Sequence, residues 1–560
     1  MSSYLSNSGL ELEPEKYDLM IFSKGNIKLD QYSIQLNNTE MYPFKSVKFL
    51  GIHFVKRLNW GINTVKLVNK ANQGLKILSC LRNTWWGADP ETLTLLYKSL
   101  IRSKLDYGSF LTPPCAKCHT DKLERIQNKS LRIAMGYRAS TPINVILAET
   151  KIMHLSLRAK YLAYRFILKA LSTNNNPTIE HITTLKRTSE NYNHEYDLDT
   201  SILLKCFTNI CQHNLNIKSY PILPQYLYPY SNNFFPVQLD LTIGHKLLNS
   251  PDPYVAFNNS FNQNNTLHYT DIFTDGSIIK ISDQNQVGLA SHSLDDPFNF
   301  SYQLPNETSI FTAECTAIYQ ALSRIRQSDK SDFKIFSDSL SVLSALQGSF
   351  STLILETKNL YIKCSLEGKN VHLIWVPSHV GIQGNEKADK KARAAAESGH
   401  LLNLPIPYSD AVISFKSELK KIKESKILQE YKVKGKGTKF FQTFFQKSNK
   451  PWFAGLNSSI PRKALVSINR IRSNHTSLKV SLFRHNIVIS KQCECEQSPE
   501  KVNHIFWQCE LFKDQRDIFL ANLRKIHPYG PFSVESLIAD LKPNVLNLIS
   551  SFIVEIKINI

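Results

Sequence analysis

Residues 266–398 predict an α/β layered fold, with a mixed five-stranded sheet and flanking helices. Three observations carry this. Short apolar runs of strand length alternate with segments of helical period. Turn residues, among them Asp295-Asp296-Pro297 and the two glycines of 378–384, punctuate them. Acidic residues stand within or just after several of the apolar segments.

The elements follow in order. Asp271-Ile272-Phe273-Thr274-Asp275-Gly276-Ser277 is a strand, and Gly276 permits a tight turn or a close approach. Residues 285–293 and 298–304 are two further strands joined by the Asp-Asp-Pro turn, so the first three form an antiparallel meander. Residues 309–326 form a helix with Phe311, Cys315, Ile318 and Leu322 on one stripe. Glu314 lies at the edge of that stripe, near the N-terminus. Residues 333–336 are a fourth strand ending at Ser337-Asp338, and the helix 339–346 follows. Residues 371–376 are the fifth strand. Asn385 is expected to cap a last helix that carries Asp389 in its first turns. The expected order is β-β-β-α-β-α-β-α.

Four carboxylates, Asp275, Glu314, Asp338 and Asp389, thus converge at one end of the sheet, with His379 ten residues before the last. Carboxylate oxygens are the ligands that Mg²⁺ prefers. Taken singly, each acid reads as a turn, cap or helix-dipole residue and the histidine as a solvated one. Together they describe a two-metal centre for phosphodiester chemistry.

TDGS, the TAE helix, SDS and WVPSHVGIQGNEKAD, in this order and spacing, resemble the type 1 ribonuclease H family over about 130 residues. The resemblance implies hydrolysis of the RNA strand of an RNA–DNA hybrid, leaving a 3′-hydroxyl and a 5′-phosphate. It implies that Asp275, Glu314, Asp338 and Asp389 hold two Mg²⁺ ions, with Mn²⁺ as a substitute. His379, on a loop, would assist proton movement or product departure.

The chain of 560 residues is long enough for several domains. Its formal charge of +20, from 67 basic and 47 acidic side chains, favours a polyanionic partner. No run of about 18 apolar residues is present, so no membrane span is expected. The first 20 residues lack the apolar core of a secretory signal, and 10 cysteines form no disulfide framework. An intracellular setting is expected, nuclear or cytoplasmic.

Residues 1–171 predict a short strand at Val47-Lys48-Phe49-Leu50-Gly51-Ile52 and then amphipathic helices. KFLGIHF, LYKSLIRSKLDYGS and AMGYRASTP resemble the palm edge and thumb of a reverse transcriptase from non-LTR, LINE-type retrotransposons. By that resemblance the KFLG strand would belong to a primer-contacting hairpin. That family's aromatic-x-Asp-Asp loop and upstream metal-binding aspartate precede the KFLG region. The 46 residues ahead of Val47 hold neither. No polymerase activity is therefore expected, and the chain reads as the C-terminal part of a longer polyprotein, a truncated gene model or a decayed copy.

Residues 172–265, rich in Asn, Pro, Tyr and Ser, are expected as a linker with a few helical pieces such as 201–211. Within 399–469, the stretch from Lys416 to Lys450 has 11 lysines against Glu418, Glu424 and Glu430, with Phe440, Phe441, Phe444 and Phe445 near its end and Trp452 and Phe453 just after it. Either single-stranded nucleic acid binds here, with aromatic stacking, or this is a solvated helix with a buried aromatic edge. In 470–560, Cys493-x-Cys495-x₈-His504-x₄-Cys509 has the donors of a tetrahedral Zn²⁺ site. It resembles a zinc knuckle, although the short C-x-C start departs from the usual C-x₂-C. Such a site would present Arg470, Arg472, Lys479 and Arg484 to nucleic acid. Two rivals to an active hybrid-cleaving enzyme stand beside it: a catalytically silent nucleic-acid-binding remnant, and a transposase or integrase with the same sheet and its own acid cluster.

Overall fold

The structure is a computed structural model. It describes residues 7–560 apart from 10–12, 24, 37–38, 112–116, 193–200, 222, 224–226, 263–268, 283, 349–350, 457–458 and 531. Contacts divide the chain into two units. One comprises Met1–Leu162, Asp199–Ile202 and Leu419–Ile560; the other comprises Ala163–Leu198 and Leu203–Glu418.

The second unit is built on a six-stranded sheet. Its strands are β1 (Leu239–Asp240), β2 (Thr270–Ile281), β3 (Gln284–Ser293), β4 (Phe300–Leu304), β5 (Asp332–Ser337) and β6 (Asn370–Trp375), in the order β1-β6-β5-β2-β3-β4. The β2–β3–β4 meander is antiparallel; β2 with β5, β5 with β6, and β6 with β1 are parallel. Four helices follow: α1 (Ile310–Gln327), α2 (Leu340–Gly348), α3 (Thr352–Leu366) and α4 (Gln383–Ser398).

Two glycines set how closely the helices approach the sheet. A Cβ on Gly276 would lie 2.8 Å from the Glu314 backbone nitrogen, so α1 rests on β2 at that point. A Cβ on Gly288 would lie 2.2 Å from the Ala392 carbonyl, so α4 rests on β3. Gly288 pairs with Ser277, whose side chain points to the face opposite the one a Cβ on Gly276 would take. The two helices therefore cover opposite faces. The core between sheet and α1 holds Ile272, Leu289, Ile318, Leu322, Phe333, Ile335 and Leu373, all buried.

The predicted strand at 271–277 is longer than expected. β2 continues through Gly276 to Ile281, so Gly276 serves close approach and not a turn. α3 was not anticipated. Its buried residues, among them Ile354, Leu355, Leu360, Tyr361 and Cys364, surround the helix and leave no amphipathic stripe to read. The stretch 172–265, expected as a linker, carries the helices Pro177–Tyr192, Ile202–Gln212, Thr242–Leu248 and Pro253–Asn262. It also supplies β1, which adds a sixth strand to the five expected. Phe257 and Phe261 stack edgewise on Phe336, at 5.5 and 5.3 Å between ring centroids. These apolar side chains drive the segment into the core despite its turn-rich composition.

The first unit joins both ends of the sequence, where separate N-terminal, basic and C-terminal regions were expected. The helices Gly61–Cys80, Lys117–Met135 and Ile143–Thr150 share one apolar core with Arg462–Ser473, Lys513–Ile526 and Pro543–Glu555. The Arg462 guanidinium, 6% exposed, donates to the carbonyls of Arg82, Asn83, Ala88, Ile133 and Ala134. It thereby satisfies helix-end acceptors of the N-terminal segment from the C-terminal one. The KFLG strand is present as half of a hairpin, Ser46–Phe49 with Ile52–Val55, turning through Leu50 and Gly51 at positive φ.

Candidate active site

Asp275 lies within β2, opposite Ala290, and is 4% exposed. Glu314 lies in the second turn of α1 and is 7% exposed. That helix is fixed at its start by Ser309, whose hydroxyl accepts from the Thr312 amide. The Ser309 amide and hydroxyl in turn donate to the buried Asp410 carboxylate at 2.9 and 3.0 Å. Asp338 directly follows β5. Its carbonyl accepts from Trp375 Nε1 at 3.1 Å, and its carboxylate accepts from Asn385 Nδ2 at 3.4 Å. The ligand atoms of Asp275, Glu314 and Asp338 all lie within 4.8 Å of one another.

Three carboxylates so close and so buried cannot all ionise without a counter-charge. Burial, then the charges of Asp338 and Asp389, push Asp275 up to about 8. Burial, then Asp275 and Asp338, hold Glu314 well above the usual carboxylate range. The two carboxyls act on each other, and the buried Glu314 Oε2 has no partner. Burial raises Asp338 also, and the Asn385 amide opposes that rise. A cluster of hard oxygen donors that hold protons in the absence of a cation suits Mg²⁺.

Asp389 lies on α4 and forms a second group with His379 and Glu386, whose ligand atoms also lie within 4.8 Å of one another. Its charge raises both Asp275 and Asp338. Asp389 Oδ1 accepts from Arg393 Nε at 2.9 Å, one helical turn on. His379 is exposed, at φ 56°, in the loop before α4.

Sequence reading did not single out Glu386. Its signal was present, since it lies three residues before Asp389 and shares a helix face with it. Asn385 differs from expectation. The cap position is Ile382, so Asn385 lies inside the first turn, is 3% exposed and turns its amide to Asp338.

In the other unit, Cys493, Cys495, His504 and Cys509 come together within 4.8 Å. The Cys493 and Cys509 sulfurs are 3.8 Å apart, and Cys495 Sγ lies 3.2 Å from His504 Nε2. All three cysteines are free thiols, and Cys493, His504 and Cys509 are buried. The C-x-C spacing therefore brings both thiols to the cluster.

The residues expected to face nucleic acid beside that cluster are engaged elsewhere. Arg472 is buried and paired with Glu149 at 2.9 Å. Arg470 donates to the carbonyls of Gly136 and Ile560, Arg484 to that of Asn474, and Lys479 faces Glu494 and Glu500. Phe440, Phe444 and Phe453 are each 2% exposed, and Phe441, Phe445 and Trp452 pack against the same core. Of the two readings of that stretch, the buried aromatic edge is the one seen.

The order of the sheet, the two helices on its faces and the buried carboxylate group define a domain of ribonuclease H type. Residues 268–397 match the family model described as RNase H, so the chain contains an RNase H domain. RNase H1 from the halophilic archaeon Halobacterium salinarum NRC-1 is a similar solved structure. It is 18% identical over 23% of this chain and 98% of that one, with a TM-score of 0.19. Among the described residues, no helix is long and apolar enough to cross a membrane.

Proposed function

We propose that the chain hydrolyses the RNA strand of RNA–DNA hybrids, with Asp275, Glu314, Asp338 and Asp389 as Mg²⁺ ligands. The observation that carries this reading is the buried Asp275–Glu314–Asp338 group with Asp389 acting on it. Two bound Mg²⁺ ions, or Mn²⁺ in their place, would supply an activated water and a stabilised leaving oxygen. The chain's own residues prepare for this. β2 and β5 fix Asp275 and Asp338 on adjacent parallel strands or just beyond them. Trp375 and Asn385 hold the segment at Asp338. Asp275 and Glu314, both raised by burial and by neighbouring carboxylates, hold protons that a cation would displace. His379 is exposed beside Glu386 and Asp389, where it can take or deliver a proton at the edge of the site.

The test uses the full chain, Mg²⁺ and three substrates: RNA–DNA hybrid, duplex RNA and duplex DNA. Cleavage of the hybrid alone, lost in Asp275→Asn, is expected. No hybrid cleavage would favour the silent remnant, and duplex DNA cleavage would favour a transposase or integrase.

The LINE-type resemblance of the flanks rests on their motifs, and under it this chain extends no primer. Asp295 and Asp296, the single Asp-Asp pair, lie by the turn before β4, where Asp295 pairs with Lys330 at 2.7 Å. The Cys₃His cluster is read as a Zn²⁺ site, because soft thiolates and an imidazole in tetrahedral number select that ion. His504 is 3% exposed; its Nε2 is hydrogen-bonded with Cys495 Sγ and its Nδ1 has no partner. The cluster lies in the apolar core with Phe506 and Phe519, and a bound ion would act as a structural clamp.

A further inference from the structure

Three polar side chains line a single cleft on the helix Lys117–Met135. Glu124, Asn128 and Arg132 stand at i, i+4 and i+8, one above another on one face. The cleft has a volume of 490 Å³ and is closed by the 139–143 loop, His154, Glu430 and Lys436. All of these belong to the first unit.

Its hydrogen bonding is incomplete. Asn128 is 6% exposed and Thr141 is 1% exposed, yet Asn128 Oδ1 and Thr141 Oγ1 have no partner. Arg132 donates from Nη2 to the Thr141 carbonyl at 3.1 Å, while its buried Nε has none. A buried polar group left unpaired costs about 1–3 kcal/mol, and three in one cleft mark a place for something that pairs them.

The two ends differ in charge. At one end burial alone lowers Arg132, with no carboxylate acting on it, so its positive charge is uncompensated. Beside it starts the helix Ile143–Thr150, whose N-cap residue Pro142 offers no side-chain cap, while Asn144 Oδ1 accepts from the Val145 amide. Lys436 completes this end. At the other end stand acceptors: Glu430, and Glu124, which already accepts from the Leu155 amide at 2.7 Å and lies 4.0 Å from His154.

We propose that this cleft binds a nucleotide 5′-phosphate. The phosphate lies at Arg132, Thr141, Lys436 and the helix N-terminus, where guanidinium, hydroxyl and backbone dipole all favour an anion. The sugar hydroxyls or base amino group donate to Asn128 and Glu430. The site is independent of the acid centre and does not rest on the hydrolysis reading. The shared chemistry is a 5′-phosphate on a nucleoside, from a free nucleotide or from a strand end.

The probe is adenosine 5′-monophosphate, titrated calorimetrically into the full chain in EDTA. The expected dissociation constant is below about 1 mM. Adenosine without phosphate should not bind, and inorganic phosphate should bind at least about tenfold more weakly. Arg132→Gln should weaken binding by about tenfold or more, the scale of a charge-assisted hydrogen bond. Because Arg132 also holds the Thr141 carbonyl, Lys436→Gln serves as a second variant, expected at about threefold. A 5′-phosphorylated oligonucleotide that competes, where its 5′-hydroxyl twin does not, identifies the source as a strand end; competition by neither identifies free nucleotide. No heat with adenosine 5′-monophosphate at 5 mM, showing that water alone fills the cleft, would overturn the proposal. So would inorganic phosphate binding as tightly as the nucleotide, or binding unchanged in both variants.

Discussion

Asp275→Asn should stabilise the metal-free chain, and the gain should depend on pH in a fixed direction. Asp275 is held at about 8 in the folded unit, against 3.8 for an ordinary aspartate. At about 1.4 kcal/mol per tenfold change in proton affinity, ionising it in place costs on the order of 5 kcal/mol. Part of this is shared with Glu314, so a net effect of at least about 2 kcal/mol is expected. The sign follows from linkage. A folded pKa raised above the unfolded one gives a contribution that is full below pH 4 and lost as pH rises toward 8. The asparagine does not titrate, so the variant's advantage should widen between pH 5 and 8 and then level off. Millimolar Mg²⁺ should narrow it by stabilising wild type. Trp375 is the single tryptophan of its unit and donates to the Asp338 carbonyl. Of the six 5-fluorotryptophan resonances of a labelled chain, that of Trp375, read by ¹⁹F NMR in urea, therefore follows this unit alone. A variant no more stable than wild type at pH 8.5 in EDTA, or a gap constant from pH 5.5 to 8.5, would refute the reasoning.

His379→Ala should slow hybrid cleavage by about 10²-fold with little change in Mg²⁺ binding by calorimetry, the low end of a general acid–base contribution. Arg393→Gln frees Asp389 Oδ1; cleavage at saturating Mg²⁺ should fall by about 3–10-fold, while Mg²⁺ affinity moves by less than about threefold, the scale of a partly exposed ion pair. Arg462→Met leaves five carbonyls of the N-terminal segment without their donor and should cost at least about 3 kcal/mol, read as joint loss of hydrogen-exchange protection in 61–80 and 513–526. Zinc analysis of reduced, chelator-free protein should give one ion per chain, and chelation should open 493–512 to protease; a small fraction of one ion would remove the site.

Five of the six strands of the second unit were legible because each is a short apolar run bounded by turn residues, and Asp275 and Asp338 stand within or directly after two of them. Glu314 was placed correctly from the helical stripe of Ile318 and Leu322. What escaped the sequence was set by packing at a distance. α3 is buried on every side, polar residues such as Thr357 and Asn359 included. The segment at 239–261 enters the core through Leu247, Phe257 and Phe261, although prolines and asparagines punctuate it. Phe440 and Phe444 sit in a charged, aromatic stretch that reads equally as a binding surface, and Arg472 near a cysteine cluster; only burial, and for Arg472 its partner Glu149, show them to be internal. Asn385 has the composition of a cap, yet its amide is drawn to Asp338 by a carboxylate brought from another strand.

The five carbonyls gathered by Arg462 also set an order of events during synthesis. A ribosome releases residues 1–162 well before position 462, with the carbonyls of Arg82, Asn83, Ile133 and Ala134 lacking the guanidinium that they later face. Some 250 residues of the other unit emerge before position 462 does. Through that interval the nascent N-terminal helices expose the surface that Leu465, Ile468 and Phe506 will cover, and chaperone occupancy on stalled chains should peak there and drop once residue 462 has cleared the exit tunnel.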